Sequence, residues 1–249
     1  MMKNLRPKDT GRALSDEPGG GEQFTCLICR DAHFVHPLKE DGKCDHSAIV
    51  PCQCVKEQIE RERIQRLLRY CELPVGTTHM TFGNFKVTPE LQEAYDLALQ
   101  LAEGGDVTWL TLMAGTMRGK THLAIAISRR WLESGKPAKY AYVPLLFEEL
   151  RRGFREEGDR SYEARFDRFL NVPLLVLDDL GTENRTPWVQ EKMDIIIDYR
   201  LVQGLPLVVT TNTPQDELPF RIANRLGRLP SSRIVFIDAP KFIYTRKGM

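Results

Sequence analysis

AGTMRGKTHLA, residues 114–124, lies between an apolar run, VTWLTLM at 107–113, and a segment of helical periodicity, THLAIAISRRWLESG at 121–135. Strand, tight loop, Lys, Thr, helix is the context that a phosphate chain requires. It needs inward-pointing backbone N–H groups, a helix N-terminus behind them, a Lys reaching the β and γ phosphates, and a hydroxyl for Mg²⁺. Ala114, Gly115, Thr116, Met117, Arg118, Gly119, Lys120, Thr121 and His122 are therefore the candidate cradle for ATP, with Lys120 on the phosphates and Thr121 on magnesium. The loop departs from G-x-x-x-x-G-K-[ST] at its first position, where Ala114 stands beside Gly115; Ala fits there if its φ stays negative. Met117 and Arg118 occupy loop positions where smaller residues are common. The bland alternative is a chance Gly-Lys-Thr at a helix start.

Downstream, LLVLDDLG at 174–181 is an apolar run ending in paired carboxylates, as a buried parallel strand does where it leaves the sheet. In this Walker B pattern Asp178 holds Mg²⁺ and Asp179 orients the attacking water. The alternative is that both Asp merely open a turn. A third run, LPLVVTTN at 205–212, brings Asn212 to the γ-phosphate if its strand lies between those of the other two motifs, the sensor 1 position; otherwise Thr210, Thr211, Asn212 and Pro214 form a turn.

Around these motifs helix and strand patterns alternate. PELQEAYDLALQLAEG reads as helix, AKYAYV as strand, two stretches between Pro144 and Asn171 as helices, WVQEKMDIIIDYRLVQG as helix and RIVFID as a last strand. Such alternation predicts an α/β fold, a mostly parallel sheet with helices on both faces.

The N-terminal part has a different character. Residues 1–22 are rich in Gly, Pro, Asp and Lys without apolar periodicity, and are expected to be a disordered tail. Residues 23–72 hold a Cys-rich segment and a helix, VKEQIERERIQRLLRY, that links it to the nucleotide domain at 73–249. No apolar run approaches the roughly 18 residues that span a bilayer, and the start lacks a signal-peptide core, so the expectation is a cytoplasmic protein with no membrane partner. In that reducing compartment six Cys point to a metal rather than disulfides. Cys26 and Cys29 form a CxxC, and Cys52 and Cys54 a CxC, the two pairs a tetrahedral Zn²⁺ needs. The CxC is tighter than the usual gap, so Cys44 or His46 is an alternative for one member. His33 and His36 read as loop residues. With 35 Lys and Arg against 34 Asp and Glu, the chain has no overall basic field, and any nucleic-acid contact must come from a local patch.

GKTHLAIAI, LLVLDDLG, IIIDYR, LPLVVTTN and RIANRL occur in the order of the DnaC/IstB-like AAA+ ATPases, and over residues 82–238 the chain resembles that family. The resemblance implies an AAA+ P-loop NTPase core in which Lys120 and Thr121 hold MgATP, Asp178 and Asp179 support hydrolysis and Asn212 senses the γ-phosphate. It further implies that Arg225 is an arginine finger on a neighbouring subunit, hence a homo-oligomer on ATP binding, although Arg221 and Arg228 stand close by. FGNF at 82–85 resembles the segment that approaches adenine, with a core Phe pair as the simpler reading. About eleven residues follow RIVFID, which leaves no room for a C-terminal lid; Arg246, in FIYTRKG, resembles a substitute sensor. A Cys-rich module ahead of such a core is similar to the arrangement in helicase loaders. The resemblance thus implies a replicative DNA helicase and single-stranded DNA as partners. Two other readings stay open: a transposition helper ATPase that recruits a transposase, and a non-catalytic adaptor working through its zinc module.

Overall fold

The computed structural model describes residues 5–6 and 24–242. The chain divides into two compact units, residues 1–65 and 66–249. In the first, β1 (Leu5–Arg6), β2 (Phe34–Pro37) and β3 (Val50–Pro51) pair antiparallel in that order, and α1 (Gln53–Cys71) follows. The expected disordered tail at 1–22 lies outside the described residues except at Leu5–Arg6. Cys29, Val35 and Cys52 form a small buried centre with Ile28, Val50, Cys26 and Cys54 against it. Against the boundary at 72/73 read from the sequence, the division falls inside α1: its last turn, with Leu67, Leu68 and Cys71, packs in the core of the second unit.

That second unit runs through α2 (Gln92–Glu103), β4 (Trp109–Met113), α3 (Lys120–Glu133), β5 (Ala138–Tyr142), α4 (Val143–Arg152), α5 (Tyr162–Asn171), β6 (Leu174–Leu180), α6 (Pro187–Gln203), β7 (Leu207–Thr211), α7 (Phe220–Leu226) and β8 (Ser232–Phe236). The five strands are all parallel, in the order β5-β6-β7-β4-β8. Strands covered on both faces read as unbroken apolar runs, and here alternate residues feed two cores. Leu110, Leu112, Val176 and Val208 pack with Ala98, Leu101, Leu123 and Ile127 of α2 and α3. Trp109, Met113, Leu175, Leu177 and Val209 pack with Leu146, Phe169, Met193 and Ile197 of α4, α5 and α6. Each fully buried Leu or Ile contributes roughly 1.5–3 kcal/mol.

Helix limits follow local chemistry. Thr186 caps α6 by accepting from Val189 N, with Pro187 at the first turn, and Gly204 closes it at φ 64°. Ser161 caps α5 through Ala164 N. One buried cation ties the entrance of the sheet together. Arg200, on α6, is fully buried and donates to the carbonyls of Phe169, Leu170, Val172, Pro173 and Pro206. The first two end α5, and the rest precede β6 and β7, so one guanidinium serves a helix C-terminus and two strand starts. Burial pushes its pKa down to about 9, which leaves it charged at neutral pH.

Candidate functional site: a phosphate loop beside two carboxylates

In a parallel sheet all strands end at one edge, and β7 lies between β4 and β6. The phosphate loop after β4, the carboxylates ending β6 and Asn212 after β7 therefore meet. Lys120 Nζ donates to Asn212 Oδ1 at 2.7 Å, to Gly115 O at 2.8 Å and to Ala114 O at 3.0 Å. Asn212 Nδ2 donates to Asp179 Oδ1 at 2.5 Å. Thr121 Oγ1 donates to both oxygens of Asp178 at 3.1 Å. Burial lowers the pKa of Lys120, while Asp179 and Asp178 oppose that shift.

Two partners of Asp178 are not legible as site residues in the sequence. Tyr140 Oη donates to its Oδ2 at 2.6 Å, and Thr210 Oγ1 donates to its Oδ1 at 2.6 Å. The same Thr210 oxygen accepts from Asp179 N at 2.9 Å, so one hydroxyl fixes both carboxylate residues. Burial, then the neighbouring Asp178, pushes the Tyr140 pKa far up, which keeps its proton available for donation. Thr210 and Thr211 belong to a buried strand rather than to a turn. Asp179 sits at φ 66°, in the left-handed region, where the β6–β7 register slips between Leu177 and Leu180. The bulge re-aims its carboxylate. Tyr142 Oη approaches Asp179 Oδ2 at 3.5 Å.

The loop backbone accommodates the departures from its pattern. Ala114 is not among the positive-φ residues, as its side chain requires, whereas Met117 has φ 62°. Gly119, at φ 88°, is needed twice over: a Cβ there would also lie 2.9 Å from the Phe85 ring. Thr116 and Met117 are exposed, and Arg118 is half-buried. His122 turns away from the loop, its Nε2 on Thr81 O at 2.9 Å and its ring against Phe85. Phe82 and Phe85 of FGNF both pack on Tyr95 of α2, so this pair is core on one side and borders the loop on the other. The oxygens of Thr121 and Asp178 are the hard donors that Mg²⁺ takes.

Arg225 lies apart from this set, its Nε paired with Asp198 Oδ1 of α6 at 2.6 Å. Arg221 shares the same carboxylate. Arg246 falls outside the described residues.

In the first unit Cys26, Cys29, Cys52 and Cys54 bring four Sγ atoms within 4.8 Å of one another. A tetrahedron with Zn–S near 2.3 Å places its sulfurs roughly 3.8 Å apart; Cys26–Cys52 is 3.8 Å and Cys29–Cys54 3.5 Å. The tight CxC works because Cys52 precedes α1 and Cys54 lies in its first turn. Cys44 instead bridges Leu38, and the His46 ring stands 4.9 Å from that of His36, so neither joins the cluster. The N–H groups of Cys29 and Ile28 hold the Cys26 thiol down at about 7, while burial and the neighbouring sulfurs push Cys54 up to about 12. All six cysteines are free of disulfides, and no described helix is long and apolar enough to cross a membrane.

The sheet order and the meeting of these three motifs define a P-loop ATP-binding fold of the AAA+ class. The pattern of the family described as IstB-like ATP binding protein matches residues 41–219, and the chain belongs to that family. It is 31% identical over 190 residues to the replicative helicase loader DnaI of Bacillus subtilis (strain 168), covering 74% of this chain and 60% of that relative's length. With the replicative helicase loader DnaC of Escherichia coli (strain K12) it shares 28% identity over 175 residues, 68% of this chain and 71% of the relative. The crystal structure of the DnaC helicase loader superimposes with a TM-score of 0.56 at 21% identity, over 66% of this chain and 99% of that one. AMPPCP-bound DnaA from Aquifex aeolicus gives 0.57 at 17%, over 64% and 50%.

Proposed function

We propose that the protein is a MgATP-dependent ATPase that loads or remodels a replicative DNA helicase on single-stranded DNA. One observation carries this reading: Lys120, Thr121, Asp178, Asp179 and Asn212, drawn from three separate segments, form one hydrogen-bonded set, joined through Thr210, at the carboxyl end of the sheet. A decayed site would have lost at least one of them, which counts against a non-catalytic adaptor.

Thr121 and Asp178 would hold Mg²⁺, whose charge would offset that of the phosphates. Lys120 holds the phosphates, Asp178 is fixed by Tyr140 and Thr210, and Asp179 orients the attacking water, with Asn212 linking it to Lys120. Arg225 supplies a finger to a neighbouring subunit's nucleotide once it leaves Asp198, and so couples turnover to a homo-oligomer. The four cysteines would hold Zn²⁺ and so shape an arm for the client. The compartment is the cytoplasm.

Single-stranded DNA has a suitable surface. Phe154, 60% exposed, stacks on Tyr162 at 4.4 Å and 12°, Tyr162 stacks on Phe166, and the Arg151 guanidinium lies 5.1 Å from the centre of the Trp188 ring. Arg152 and Arg155 are exposed beside them. Aromatic faces interleaved with arginines take stacked bases and backbone phosphates without reading sequence.

Native mass spectrometry of the protein with MgATP, alone and with the replicative helicase of its host, tests the reading. A defined complex that retains zinc is the expected result. No complex, with MgATP still bound, would favour a transposition helper, and absence of nucleotide binding would favour the adaptor.

A further inference from the structure

The phosphate loop carries a second cation, Arg118, that no buried acid among the described residues answers. Its side chain is 25% exposed, and its Nε is buried without a hydrogen-bond partner among the described residues. Among the described residues its ion pair is Nη1 to Asp238 Oδ1 at 2.9 Å, and the Asp238 side chain is fully exposed. The guanidinium folds back over the start of the loop: a Cβ on Gly115 would lie 3.4 Å from Arg118 Nε. Asp238 is presented to it by a segment fastened to the loop, since Ile237 N donates to Met113 O and Phe242 N to Met117 O, both at 2.8 Å. Repulsion from Arg118 adds to burial in lowering the Lys120 pKa, so the two cations share one field.

An ion pair with a fully solvated carboxylate is worth little. A polyphosphate offers the same guanidinium several charged oxygens and bidentate geometry. We propose that Arg118 is a second phosphate-binding side chain of the nucleotide site, and that Asp238 is its resting counter-ion, which competes with the nucleotide for it. This rests on residues 114–122 being the nucleotide cradle. ATP entry then exchanges an Arg–carboxylate pair for an Arg–phosphate pair and frees Asp238, with no movement of the sheet required.

The two halves of the pair make opposite predictions. A mere brace on the loop would be broken alike by Arg118→Ala and by Asp238→Asn, and both would weaken nucleotide. A phosphate ligand with a competing counter-ion gives opposite signs. The measurement is the dissociation constant of MgATP by calorimetry for the full chain and for Arg118→Ala, Arg118→Lys and Asp238→Asn, with melting temperatures as a folding control. Arg118→Ala should weaken ATP roughly 10- to 100-fold, the range of a lost charge-assisted hydrogen bond. Arg118→Lys should recover part of that loss, and Asp238→Asn should tighten ATP by about threefold. Equal weakening by Arg118→Ala and Asp238→Asn, or unchanged affinity in Arg118→Ala, would overturn the proposal while leaving the nucleotide site standing. Failure of the unaltered chain to bind ATP would overturn the site itself.

Discussion

Lys120 and Asn212 are 92 residues apart, yet the ammonium of one donates to the amide oxygen of the other at 2.7 Å. The contact exists because β7 is threaded between β4 and β6, and it makes the lysine and Asp179 share a single amide as their go-between.

Lys120→Ala should abolish ATP binding with the fold intact, whereas Asp179→Asn should bind ATP normally and lose turnover by at least about 100-fold. Calorimetry and a phosphate-release assay separate the two. Undiminished turnover in Lys120→Ala would refute the site assignment.

Tyr140→Phe and Thr210→Val each take one hydroxyl from the buried Asp178. Either should lower stability by about 1–3 kcal/mol, the worth of one hydrogen bond to a buried charged acceptor. Both should also raise the Mg²⁺ concentration needed for half-maximal ATPase. Denaturant melts and a Mg²⁺ titration give the two readouts, and a stability loss with an unmoved Mg²⁺ dependence would show that these hydroxyls do not tune the metal position.

Met117→Gly should raise stability by up to about 1 kcal/mol, because a left-handed φ strains any residue with a Cβ and suits glycine, less glycine's greater entropy loss. Gly119→Ala should do the reverse and weaken ATP. Urea unfolding of both variants checks the pair of signs.

Zinc stripped by a chelator should unfold the first unit while ATP affinity of the second persists. Metal binding needs thiolates, and with Cys26 held at about 7 but Cys54 at about 12, uptake must displace protons. Affinity therefore rises as pH rises and zinc is lost on acidification. Metal content of Cys26→Ser and Cys52→Ser at several pH values tests this, and stoichiometric zinc in both would show the ligand set to be wrong.

Arg200→Leu should cost at least about 3 kcal/mol, since several carbonyls lose a charged donor at once in a buried place. Thermal melts measure it. A loss below about 1 kcal/mol would mean that water replaces the guanidinium.

The strands and motifs were legible because parallel buried strands read as unbroken apolar runs, and LLVLDD and VTWLTLM do. Strand order was not, since pairing between β4 and β7 joins residues almost a hundred positions apart, so the place of Asn212 stayed conditional on it. Tyr140 and Thr210 sit at alternate positions of buried strands, where a polar residue looks like any other sheet residue until its neighbour on the next strand is known. Nothing in IIIDYR marks Arg200 as buried, and only the fold reveals the carbonyls around it. For the cysteines, spacing indicates two pairs but leaves open whether Cys44 or His46 replaces one member, because that depends on the path of the chain between the pairs.

Met117 holds in the left-handed region a loop position where smaller residues are common, and Ala114 keeps the start of the loop without its usual glycine. The motif is thus written in torsion angles rather than in letters. A sequence survey that demands the glycines would discard this chain as a degenerate copy, although its loop retains the turn, the lysine and the hydroxyl. Relatives with similarly irregular loops are better sorted by whether the backbone can still make the turn than by how closely they spell the consensus.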